Sequence, residues 1–221
     1  MKSISSQRLP LRFAMLLCGI FLMGMGIALF SKSDTGISPL ASVPYVLSRV
    51  FPNVSLGTYT IGLNVLLFIG QFILVPHSFS PGKLLQVLPT ALLGISTDVS
   101  VWLLAPLNAQ GYLRQVLFMG AGCISIALCI ALMLSANLIL MPIDGFISQL
   151  SMRTGWKWGN AKCFMDICQV LAACLISFGF LGRIVGIREG TLVAALVVGK
   201  LSGLFRRYTD RLAAGTADSC T

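Results

Sequence analysis

The sequence predicts an all-α polytopic membrane protein: about six transmembrane helices, grouped as two inverted three-helix repeats within one membrane domain over residues 1–221. Composition is the first reason. Of 221 residues, 56% are hydrophobic and only 10% charged, against about 25% charged in a soluble domain, and the mean hydropathy is +0.89. Length is the second reason, because several apolar runs reach the roughly 20 residues that cross a hydrocarbon core. The third is a recurring interruption. Ser33-Asp34-Thr35-Gly36-Ile37-Ser38-Pro39 follows the first run, and Met141-Pro142-Ile143-Asp144-Gly145 follows another. Pro39 cannot continue a helical ladder, and Gly36 reaches backbone angles closed to other residues. Broken backbone at membrane depth persists only where it is buried in protein or lines a wet cavity. Paired interruptions at matching places in two halves point to a transport site near the bilayer midplane.

The first span is expected over residues 12–30, with Gly19, Gly24 and Gly26 letting neighbouring helices approach closely. It is too long for the apolar region of a cleaved signal peptide and is read as retained. Residues 40–51 form a short helix, at about 18 Å too short to span, and therefore re-entrant or interfacial. A second span over 58–75 contains Asn64 and Gln71; a turn-rich loop over 76–83 includes His77; a third span over 84–107 contains Pro89 and Asp98. The pattern then restarts. A span over 114–140 ends at Pro142 and Asp144, a short amphipathic helix covers 146–154, and Trp156-Lys157-Trp158 reads as an interfacial belt. The fifth span, 160–180, carries Lys162 and Asp166; a sixth covers 191–205, and a basic tail covers 206–221.

Repeat one is therefore 12–107 and repeat two 114–205. A shift of 102 carries Arg12 onto Arg114, Gly57 onto Gly159 and Asn64 onto Asp166, and a shift of 103 carries Pro39 onto Pro142. Three spans is an odd number, so the second copy inserts upside down. Lys2, Arg8 and Arg12 precede the first run and Arg206, Arg207 and Arg211 follow the last, which places both termini in the cytoplasm. The net charge of +9 belongs to these flanks, so nucleic acid is not an expected partner and the lipid bilayer is.

Arg12, Gly19 and Gly24, then Thr35-Gly36-Ile37-Ser38-Pro39 and Pro44-Tyr45-Val46-Leu47-Ser48, resemble the opening of the YczE/YyaS/YitT-like bacterial membrane proteins. Ser55-Leu56-Gly57 with Asn64, Gln71 and Leu85-Gln86 through Asp98 is similar to later parts of the same pattern, and the resemblance is strongest over 12–100. It implies a polytopic inner-membrane protein of about this size. Where many members read Pro-Trp-Asp, this chain reads Pro39-Leu40-Ala41, so any role of that acid passes to Asp34 or lapses.

Seven acids are present, and four fall where function is expected. Asp98 and Asp166 lie within spans, where a carboxylate costs about 2.5–3.5 kcal/mol on insertion scales and so faces the bundle interior or water. They read as cation or proton sites, or as internally paired groups, Asp166 with Lys162 and Asp98 with Ser96 or Thr97. Asp34 sits near a surface, and Asp144 either serves a site or caps the following helix. Gly36, Ser38, Pro39 and Pro142 supply broken backbone, and Asn64 lines a polar path or bonds a neighbouring helix. The seven cysteines show no metal-ligand spacing, so neither a metal nor another cofactor is expected.

The leading expectation is a small secondary transporter or permease for a small polar solute or ion, paired with a second copy of itself. The alternative is an accessory or solute-capturing subunit of a larger membrane system. An enzyme is not expected, because no nucleophile accompanies the buried acids.

Overall fold

The computed structural model describes residues 9–74, 81–107, 111–136, 138–139 and 141–214. His77, most of the 76–83 loop, and the tail beyond 214 with Cys220 lie outside them. Eight helices follow in order among the described residues: α1 Leu9–Ser33, α2 Ser42–Val50, α3 Leu56–Leu74, α4 Val87–Leu103, α5 Tyr112–Ala136, α6 Pro142–Thr154, α7 Trp158–Leu181 and α8 Glu189–Ala214. Short 3-10 turns at Pro39–Ala41 and Pro81–Gln86 lead into α2 and α4.

Five of the described helices are long and apolar enough to cross a membrane: α1, α3, α4 with its preceding turn, α5 and α7. The expected sixth span is the first part of α8. That helix does not stop at residue 205 but runs through Arg206 and Arg207 to Ala214, so the proximal part of the tail is helical. Its apolar stretch between Glu189 and Arg206 is interrupted by Lys200, which is why it falls short of the other five. Outward faces carry large apolar side chains such as Ile73 (74% exposed) and Leu175 (75% exposed), as lipid contact requires.

The helices pack through small residues. Gly26 lies against Gly122 and Ile126, Gly19 against Cys129 and Met133, and the Ser125 hydroxyl donates to the Leu22 carbonyl at 2.7 Å. Low numbers on α1 meet high numbers on α5, so the two helices run antiparallel. The interruption after α1 and the one after α5 therefore enter from opposite ends of this pair. Gly24 backs onto Ser96 and Thr97 of α4, and Gly57 of α3 onto Gly94. Without a hydrophobic drive between helices in lipid, such close backbone approach supplies the packing.

Contacts exchange almost perfectly between halves. α1 packs on α4 as α5 does on α8; α3 packs on α6 as α7 does on α2; α2 packs on α3 as α6 does on α7. One pair breaks the rule. α3 lies along α4, but no comparable packing joins α7 to α8, and a cleft of about 720 Å³ opens there.

Candidate functional site

The first interruption is almost fully paired. Asp34 takes a left-handed φ of 52°, which aspartate tolerates better than most residues, and its carbonyl accepts from the Arg188 guanidinium at 3.0 Å. Gly36 has φ 122° and lies against Thr191, where a Cβ would meet the threonine hydroxyl at 2.8 Å. The Thr35 carbonyl accepts from Gly190 N–H at 3.0 Å, and Ile37 N–H donates to the Gly186 carbonyl at 2.8 Å. The segment expected to offer free backbone groups is thus stitched to the α7–α8 connection.

Each interruption is also held by a glutamine from the other half. The Gln71 amide of α3 donates to the Pro142 carbonyl at 2.9 Å. The Gln169 amide of α7, with its nitrogen turned inward, donates to the carbonyls of Pro39 at 3.0 Å and Leu40 at 3.2 Å. These two braces bring the proline segments towards each other, and Leu40, Met141 and Ile143 line one small cavity between them.

Beside that contact lies Lys162. Its ammonium donates to both oxygens of Asp166, at 3.2 and 3.1 Å, one turn along α7, with the side chains 28% and 21% exposed. The pair lines a cavity of about 220 Å³ with Ser38, a residue 4% exposed whose hydroxyl has no hydrogen-bond partner among the described residues. Lys162 also borders an adjoining cavity of about 230 Å³ that holds Asp144, Ser148 and Trp158. Asp144 sits in the first turn of α6, which begins at Pro142 rather than at residue 146. Proline is suited to a helix's first position, where its missing N–H is not needed, so the helix starts earlier than a break reading suggests. Ser38, Pro39, Asp144 and Asp166 of the expected residues thus gather around one ammonium. A carboxylate–ammonium pair with an unpaired hydroxyl can hold a polar solute at both ends or release a proton-coupled charge.

Other expected residues go elsewhere. Asn64 donates to the Thr60 carbonyl at 2.9 Å, and its own carbonyl oxygen faces the small cavity unpartnered. Asp34 lines a wide cavity at the end of the bundle where α1 and α7 terminate, and Gly36, two residues before Ser38, packs on Thr191 and does not line the Lys162 cavities. Asp98 is bonded not to Ser96 or Thr97 but to the start of α3: Gly57 N–H donates to it at 2.8 Å and the Ser55 hydroxyl at 2.6 Å. It is a cap supplied from a neighbouring helix. Sequence reasoning missed Gln169 as the counterpart of Gln71. It also cast Lys162 only as the partner of Asp166 and not as a site residue. Among the described residues no cluster of histidine, cysteine and acids suits a metal ion.

Helices with outward apolar faces and buried polar groups set among an apolar core define a multi-pass membrane protein. Residues 10–207 match the model of a family described as of unknown function, DUF6198, and the chain belongs to that family. It is also 24% identical over 204 residues to the uncharacterized membrane protein YczE of Bacillus subtilis (strain 168), covering 92% of this chain and 87% of the relative. No solved structure matches it.

Proposed function

We propose that the chain is a small secondary transporter or permease, carrying a small polar solute or ion past Lys162. One observation carries this reading: an ion pair within a predicted span borders cavities between two interrupted segments that enter from opposite ends. An ion pair in apolar surroundings is costly to keep, and in membranes such groups mark substrate or ion pathways. The antiparallel α1–α5 pair and the exchange of contacts support an inverted repeat, the architecture in which midplane sites recur. On this reading both termini face the cytoplasm of a bacterial inner membrane.

The test is uptake into proteoliposomes of the purified chain, over a panel of small polar solutes with proton flux recorded. Wild type is expected to move at least one, and Asp166→Asn and Lys162→Gln to lose it while remaining folded. Equal uptake by wild type and both variants would remove the site from the pathway. An accessory-subunit reading draws on α7, whose spanning stretch is only 22% buried, the least of the five, leaving its face and the α7–α8 cleft open to a partner helix. Activity that returns only when other membrane components are added favours that alternative.

A further inference from the structure

A second cavity, of about 700 Å³, opens at the end of the bundle where α1, α4 and α7 terminate. Its wall carries three cations, Lys32, Arg49 and Arg183, and one acid, Asp34, with Tyr45 and Gln115 between them. Formal charges of +3 and −1 leave +2 on the lining. None of the three cations is neutralised by a carboxylate within ion-pairing distance; the ion pairs among the described residues are Lys162–Asp166 and Arg206–Asp210.

Arg49 and Lys32 are held by groups that leave their charge available, and Arg183 is placed by its loop. The Arg49 guanidinium donates to the Tyr45 hydroxyl at 3.1 Å and lies over that ring, 5.1 Å from its centroid. Tyr45 itself is 4% exposed, and Gly186 packs flat against its ring, so the platform is fixed. Lys32 spends one of its three protons on the Ala105 carbonyl at 3.2 Å. Arg183 rides on a loop clamped at both sides by Ser177, whose hydroxyl donates to the Arg183 carbonyl at 2.7 Å and accepts from Val185 N–H at 2.9 Å. Two guanidinium groups and an ammonium lining one cavity offer the charge-assisted donors that a phosphate or carboxylate group takes.

We propose that this vestibule is an anion-binding site for a phosphate- or carboxylate-bearing molecule, whether a soluble anion or an anionic lipid headgroup. It is distinct from the Lys162 site and does not depend on whether the chain transports. The experiment uses the full chain in phosphatidylcholine nanodiscs, titrated calorimetrically with inorganic phosphate. In parallel, nanodiscs containing phosphatidylglycerol are used to measure, by native mass spectrometry, how much of that lipid stays bound. Arg49→Gln and Arg183→Gln are compared with Lys157→Gln, an exposed cation before α7, away from the vestibule. If the source is soluble, phosphate binds and each vestibule variant weakens it about tenfold, the loss of one charge-assisted bond, while Lys157→Gln does not. If the source is lipid, phosphate does not bind, but retained phosphatidylglycerol falls in both vestibule variants and not in the control. Binding of neither probe, or equal effects of all three substitutions, overturns the proposal. The Arg183 side chain makes no hydrogen bond among the described residues, so its substitution remains informative should Arg49→Gln prevent folding.

Discussion

Asp98 and Asp166 are aspartates inside helices, and their neighbours set them apart. Asp98 is bound to two donors at the start of α3, one of them a backbone amide that the helix leaves unpaired. Asp98→Asn keeps the shape but weakens both bonds, and is expected to cost about 1 kcal/mol of stability, read as a lower unfolding temperature in detergent, with uptake per folded molecule unchanged. Asp166 has instead a single cation, and among the described residues that cation makes no hydrogen bond to any other group, with Asp144 bordering the same cavity. Removing either partner strands the other, so Lys162→Gln and Asp166→Asn should each lower the melting temperature. The double variant should melt above Lys162→Gln, because it removes one of the carboxylates that the single change leaves without its ammonium. A double variant less stable than Lys162→Gln would contradict this account of the pair. Composition alone marked both aspartates as costly. What it could not supply was the partner, because Gly57 and Asp98 are 41 residues apart and meet only through the packing of α3 on α4.

At the level of elements, the two interruptions were legible because proline and glycine act locally, whatever surrounds them. Both short helices follow their interruptions as expected, though α6 begins four residues early, since Pro142 serves as its first residue rather than as a barrier. The pairing of the interrupted backbone was not legible. Its partners, Gly186, Gly190, Arg188 and Gln169, come from more than a hundred residues away and carry no local pattern. Gly36 is where the element depends most on one residue. An alanine there would face a φ of 122° and the Thr191 hydroxyl together, so Gly36→Ala is expected to destabilise by about 2 kcal/mol, measured by thermal unfolding. Alanine tolerated without loss would mean that the interruption and α8 are not packed as described.

For the whole molecule, the proposed inverted repeat and the antiparallel α1–α5 contact make one prediction about sidedness. Single cysteines at Asp34 and Trp156, both exposed and at opposite ends of the bundle, should react with an impermeant thiol reagent from opposite sides of the membrane. The background for this labelling should have its native cysteines replaced. Labelling of both from one side would end the inverted arrangement. The 102-residue shift suggests a repeat but carries no sign of the opening between α7 and α8, because helix separation depends on which faces meet and not on where helices begin.

That opening has a counterpart in the sequence once the capping of α3 is known. Carried forward by the same shift, Gly57 falls on Gly159 and Asp98 falls on Lys200. In the first half a carboxylate fastens one helix to the amide end of its neighbour, like a latch. In the second half the bolt is an ammonium, which the positive end of α7 repels. Gly159 borders the cleft, and so does Gly199, the residue before Lys200. The protein is thus a chamber with one door bolted and the other unable to bolt itself. Lys200→Asp supplies the absent bolt, and thiol access to Cys163 on the cleft wall should then fall as the second door shuts.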